Sequence, residues 1–227
     1  MRTIKILVYT ASLAIASFNV SAATKAHLDH ADTDIMDTAS LQNGAKLFMN
    51  YCSGCHAISF MRYNRVGKDL GLSDDLVKNN LMFAGKKTGE AITVAMPEGA
   101  AVNWFGVIPP DLSLVARSKG TDWIYTYLRS FYEDESRIFG VNNKVLVNAS
   151  MPDALWSLRK SQSDAEFDNS VRDITNFLDY VGEPAKLIRL QLGKWVLLFL
   201  GVLFVLTYLL KKEYWKDVKY GIWRPRD

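Results

Sequence analysis

Residues 52–56 read Cys-Ser-Gly-Cys-His, and Cys52 and Cys55 are the only cysteines among 227 residues. Two cysteines three positions apart on a helical turn share one face. His56, four positions from Cys52, shares it too. Two thiols can each add to a vinyl group of a haem, while an adjacent imidazole meets the iron from below. C-x-x-C-H is the attachment signature of a c-type haem. A redox dithiol or half a zinc site would use the same C-x-x-C. Zinc needs two further ligands, and the chain has no other cysteine and only two other histidines, His27 and His30. A thioredoxin-like dithiol does not require the histidine that follows.

A haem iron needs a sixth ligand or an open site. Bis-His ligation would have to draw on His27 or His30, in the polar start of the mature chain. Methionine is the other common choice and raises the reduction potential. Met61 lies too close to the attachment turn to reach the opposite face. Met96-Pro97 and Met151-Pro152 each place a methionine in a loop before a proline, and their sequence context does not separate them.

The helices around this turn show in the hydrophobic period. Ser40 to Cys55 reads as a helix capped by Ser40, with Leu41, Ala45, Phe48 and Cys52 at helical spacing. Gly44 leaves a smooth patch where a second helix can approach. Asp164 to Val181 reads as that partner: Phe167, Val171, Ile174, Phe177 and Leu178 line one face, and Gly182 follows. Between them, residues 85–110 are rich in Gly and Pro and read as irregular. Residues 111–132 read as mostly helical, and residues 140–152 as a loop around Met151. The expected fold is mainly α, one globular domain enclosing one core.

Both ends point to a membrane. Residues 1–22 combine Arg2 and Lys5 with a short apolar stretch, Ile6 to Ala16, and small residues at Val20-Ser21-Ala22. That is the pattern of a secretory signal peptide cleaved near Ala22 or Ala23. Trp195 to Leu210 is an uncharged run of sixteen residues, about 24 Å of helix, which Leu187 to Gly193 can extend towards the roughly 30 Å of a hydrocarbon core. Six Lys and Arg follow, from Lys211 to Arg226. Positive charge concentrates on the cytoplasmic side. The expected division is therefore a signal peptide at 1–22, an exported, periplasmic domain at 23–186, a transmembrane helix at 187–211 and a cytoplasmic tail at 212–227 of a bacterial inner-membrane protein. The net charge of +3 is too small to suggest nucleic acid. The segment from Thr24 to Leu190 carries 18 basic and 21 acidic residues and is mildly acidic. Asp74-Asp75 and Glu133-Asp134-Glu135 are acidic clusters that would suit a basic partner, or serve as ordinary solvated surface.

Five stretches carry a more specific likeness: CSGCHAISFMRYNRVGKDLG (52–71), NWFGVIPPDLSLVARSKG (103–120), DWIYTYLRSFY (122–132), ASMPDALW (149–156) and LLKKEYWKDVKY (209–220). In this order they resemble the cytochrome c1 family in its proteobacterial form. The resemblance implies a class I cytochrome c-like domain with irregular insertions, one covalently attached haem c, and a C-terminal transmembrane helix. It implies an electron-transfer subunit of the cytochrome bc1 complex with no catalytic chemistry of its own, taking electrons from a Rieske iron–sulfur protein and passing them to a cytochrome c. The implied partners are cytochrome b, the Rieske protein, a cytochrome c acceptor and the membrane, in a dimeric complex. In this family the ligand methionine follows the PPDLS segment, which implies Met151 over Met96. Pro110 resembles the proline that packs near the haem. The basic residue that pairs with a haem propionate would be Arg117 or Lys119. The family commonly has Arg where this chain has Lys119, and a lysine would bind as a point charge without the bidentate fork.

Overall fold

The computed structural model describes residues 27–221. The segment expected to be a signal peptide, 1–22, lies outside the described residues, as does the last part of the basic tail.

The core is a crossing of two helices. Helix α1 (Thr38–Tyr51) begins after Asp37, whose carboxylate accepts from the Ser40 N–H. Asp37, not Ser40, is the N-cap. Ser40 is instead drawn into the interior. Its hydroxyl donates to Asp173 at 2.7 Å, and Asn43 donates to the other oxygen of that carboxylate at 2.8 Å. A buried carboxylate must be paired in this way to be tolerated. The helix ends at Tyr51, one turn earlier than the apolar period suggests. Residues 52–55 form a turn, with the Cys55 and His56 N–H groups both donating to the Cys52 carbonyl.

Ten elements lie between α1 and its partner helix in the chain. Strand β1 (Ile58–Arg62) pairs antiparallel with β2 (Ala91–Ile92). Helices α2 (Tyr63–Asp69) and α3 (Asp74–Asn80) lie between them. Helix α4 (Glu98–Phe105) closes at Gly106, whose φ of 74° is the left-handed value that ends a helix. The stretch expected to be irregular thus contains both β2 and α4. Next come α5 (Val115–Lys119) and α6 (Thr121–Arg129). Gly120, at φ 90°, sits between them and divides what the sequence presents as one helical region. Strands β3 (Phe131–Glu133) and β4 (Val141–Asn143) form a hairpin, and α7 (Trp156–Ser161) precedes the long partner helix.

That partner, α8 (Asp164–Gly182), starts with a capping box. The Ser163 hydroxyl accepts from the Glu166 N–H, and the Glu166 carboxylate accepts from the Ser163 N–H. Val171, Ile174 and Phe177 are fully buried, and the Phe177 ring meets Phe48 of α1 with centroids 5.6 Å apart. At Gly44 the two helices approach closely. A Cβ there would stand 2.0 Å from the Asp173 carbonyl oxygen and 2.8 Å from Phe177 Cβ. The mainly α architecture expected from the sequence is therefore present, with two short two-stranded sheets at its margins.

Helix α9 (Lys186–Tyr214) is 29 residues long, and none of its residues is buried against the domain. At 1.5 Å per residue it reaches about 43 Å, enough to cross a bilayer with polar turns at each end. By length and composition it is a membrane-spanning candidate. It begins one residue before and ends three residues after the expected 187–211. A short helix, α10 (Lys216–Lys219), follows.

The acidic clusters have local structural partners. Asp74 and Asp75 occupy the first turn of α3, where carboxylates complement the helix dipole. Asp134 accepts from Ser136 and from Asn142 in the hairpin turn.

Candidate haem site

A cavity of about 640 Å³ opens between the C-x-x-C-H turn, the 107–119 segment, α6 and the 146–152 loop. Cys52, Cys55, His56, Pro110, Lys119 and Met151 all line it. Its size falls within the range of cofactor pockets, and its walls are apolar. Val107, Leu114, Leu146 and Val147 leave 46–64% of their surface uncovered by protein. Ile174 and Leu178 of α8 form its floor together with Ile124 and Leu128 of α6.

His56 is presented to this cavity by a second stretch of chain. Its Nδ1 lies 2.8 Å from the Pro110 carbonyl oxygen, the geometry of an Nδ1–H donor. Such a bond fixes the tautomer and ring plane and leaves Nε2 unprotonated for a metal. Burial lowers the His56 pKa, against smaller upward pulls from the Pro110 carbonyl and Asp111. The neutral imidazole, the form that ligates iron, is favoured.

Pro110 is held by a clip that explains the Asp and Ser of PPDLS. The Asp111 carboxylate accepts from the Ser59 N–H at 2.9 Å, from the Ser59 hydroxyl, and from the Ser113 N–H at 2.7 Å. The Ser113 hydroxyl accepts from the Phe60 N–H, and the Leu112 N–H donates to the Ala57 carbonyl. Burial would raise the Asp111 carboxyl, but these hydrogen bonds outweigh it and hold the group below the usual carboxylate value. The clip is ionised at neutral pH and fastens residues 110–113 to the four residues that follow His56.

The thiols differ from those of a redox dithiol. Burial, reinforced by Cys55, pushes Cys52 up to about 12, and burial raises Cys55 as well. Reactive C-x-x-C dithiols have depressed values. Among the described residues no cluster of three His, Cys, Asp or Glu side chains is placed to hold a bare metal ion. An imidazole with one nitrogen committed, a thioether, two thiols on one turn and apolar walls fit a flat, apolar, iron-bearing ring far better than zinc.

The methionines separate clearly. Met151 lines the cavity, and its Sδ is 3.6 Å from the Tyr127 hydroxyl, within reach for a sulfur acceptor. Met96 sits just before α4 and is not part of the lining, and Met61 is buried in the core. The two basic candidates separate as well. Lys119 lines the cavity, with Nζ 5.6 Å from the centre of the Trp123 ring. Arg117 is not part of the lining, and its guanidinium pairs with Glu183 at 3.0 Å.

Two functional contributors have no signal in the sequence pattern. Asn142 and Asn143 are buried within strand β4 of the hairpin. Asn143 donates to the Tyr127 carbonyl at 2.8 Å and accepts from the Val145 and Leu146 N–H groups. Asn142 accepts from the Asn148 N–H at 2.8 Å. The pair ties the loop carrying Met151 to helix α6.

Residues 30–218 match the model of the Cytochrome C1 family. The cytochrome c1 of Allochromatium vinosum is 49% identical over 219 residues, covering 85% of this chain and 90% of that protein. A Nitrosomonas europaea protein named ammonia monooxygenase gamma subunit is 43% identical over 236 residues, covering 96% of this chain and all of that one. A Bradyrhizobium diazoefficiens cytochrome b/c1 is 23% identical over 230 residues, covering 80% of this chain and 34% of that protein. With a family match across nearly all described residues, and a cavity suited to haem c at its attachment turn, the chain belongs to the cytochrome c1 family, the haem-bearing electron-transfer subunits of the bc1 complex.

Proposed function

We propose that this chain holds its haem c through thioethers at Cys52 and Cys55, with His56 and Met151 as the axial ligands, and relays electrons from a Rieske iron–sulfur protein to a cytochrome c. The observation that carries this reading is the meeting of Cys52, Cys55, His56 and Met151 on one apolar cavity, with the second nitrogen of His56 already committed to Pro110. Haem c, when bound, supplies a one-electron iron couple. His56 is held as a neutral donor, Met151 would close the position where a substrate could otherwise enter, and the apolar walls would limit water around the bound ring. A thioether ligand and a dry surround both favour the reduced, less charged centre. Lys119 is the propionate partner, as a point charge steadied over Trp123. Pro110 contributes its carbonyl to His56 and its ring to the cavity wall.

On this reading the domain at 23–186 is periplasmic, the signal peptide at 1–22 is removed, α9 crosses the membrane and the basic tail is cytoplasmic. The charge asymmetry around α9 supports this orientation. Cytochrome b is the membrane neighbour, in a dimeric complex. Fusion of a cytochrome b and a c1 in one relative's name fits that adjacency.

Purification through this chain in a mild detergent tests the assignment. Cytochrome b haem and a Rieske protein are expected to co-purify, with quinol-dependent reduction of cytochrome c. The Nitrosomonas relative's name points to a different assembly. Recovery of ammonia-oxidising activity, without b-type haem or quinol-dependent reduction, would replace the bc1 reading.

A further inference from the structure

We propose that Tyr127 is a positioning residue for the Met151 sulfur: its hydroxyl donates a hydrogen bond to Sδ, orients the thioether towards the iron and biases the couple towards the reduced state. The inference rests on the reading of Met151 as axial ligand and adds a determinant of its donor strength.

Tyr127 lies on α6, where its ring is fixed from two sides. It stacks on Trp123 with centroids 4.9 Å apart and planes 7° apart, and meets Phe131 edge-on at 5.3 Å. The residue is buried, and the Met151 sulfur is the hydrogen-bond partner of its hydroxyl among the described residues. A buried hydroxyl is seldom left without a partner, so the Sδ contact is where this one is satisfied. The loop is tied to the same helix from behind, since Asn143 binds the Tyr127 carbonyl and the 145–146 backbone together.

A thioether sulfur carries two lone pairs. Tyr127 engages one and leaves the other for iron, which restricts the sulfur to one approach. A hydrogen bond also withdraws electron density from the sulfur. The oxidised iron, more electron-poor, loses more from a weakened donor than the reduced iron does. Hydrogen bonds of this outer kind tune haem potentials.

The test is Tyr127→Phe in the full chain, purified in its complex, with Tyr125→Phe as control. Tyr125 is buried on the same helix but does not line the cavity. Phenylalanine keeps both ring contacts. In an equilibrium redox titration, the ratio of reduced to oxidised haem at a fixed ambient potential should fall about threefold in Tyr127→Phe, in keeping with one modest hydrogen bond. It should not move in Tyr125→Phe. The red-edge absorbance of ferric Met ligation should persist. Should Tyr127→Phe accumulate without haem, Tyr127→Leu is titrated in its place, with the same direction expected. A potential unchanged from wild type overturns the role of Tyr127. Absence of the red-edge band in the wild-type protein overturns the Met151 reading instead.

Discussion

Replacing Gly44 by alanine should lower the stability of the domain by about 3 kcal/mol or more, as expected where a side chain is forced into a packed interior. The added Cβ would stand 2.0 Å from the Asp173 carbonyl oxygen. That oxygen belongs to the α8 backbone and cannot rotate away as a side chain would. Relief requires α1 and α8 to separate. Separation would pull Phe48 from Phe177 and break the Ser40–Asp173 and Asn43–Asp173 hydrogen bonds. Helix α1 also leads directly into the Cys52 turn, so haem attachment should fall with the packing. Chemical denaturation, followed by tryptophan fluorescence, measures the loss; Gly44→Val should not accumulate as folded protein. A wild-type midpoint in Gly44→Ala would mean that the helices do not cross at this point.

Removing the sulfur of Met151 should have the largest effect on the iron. Met151→Ala opens the sixth position without touching Cys52, Cys55 or His56. The reduction potential should fall by roughly 0.1 V or more, a modest part of the ~0.8 V over which axial ligands move haem potentials. Carbon monoxide should bind the reduced variant rapidly while the wild type resists it. Met96→Ala should leave both properties unchanged, because Met96 is not part of the cavity wall. Spectra with and without carbon monoxide, and a redox titration, provide the comparison. Equal behaviour of the two variants would remove Met151 from the ligand set.

The parts of this molecule legible in the sequence are those whose cause is local. Cys52, Cys55 and His56 share one wall of the cavity because a single turn over five residues, closed on the Cys52 carbonyl, places them there. The crossing helices show because Leu41, Ala45 and Phe48, and Val171, Ile174 and Phe177, repeat at the period of a buried face. Gly44 signals a close approach for the same reason. What escapes is fixed by contacts distant in sequence. Ser40 resembles a cap, but Asp173, 133 residues away, takes its hydroxyl, and Asp37 caps the helix. Arg117 and Lys119 are two positions apart, so helical geometry points them in different directions, and only Glu183 reveals which one turns outward. Met96 and Met151 have the same Met-Pro context. Their difference arises from Asn142 and Asn143, whose hydrogen bonds hold the 144–151 loop against α6. Helix α4 was hidden by the Gly and Pro that flank it, since those residues mark its ends rather than its absence.

The resemblance to cytochrome c1 supplies the chemistry that periodicity does not, and the structure supplies a physical reason for its motifs. PPDLS is a clip in which Asp111 and Ser113 fasten to residues 59 and 60, so that the Pro110 carbonyl meets His56. The two loops that bring Pro110 and Met151 to the cavity are therefore both held by short polar side chains, one set partly exposed and the other buried.

Intact mass under denaturing, reducing conditions is the most direct test of covalent attachment at the Cys52–His56 turn. The mature polypeptide should carry the added mass of one haem, located by fragmentation to the peptide containing Cys52 and Cys55, and Cys52→Ala with Cys55→Ala should lack it. A wild-type chain with the mass of polypeptide alone, isolated from cells able to mature c-type cytochromes, would contradict the account.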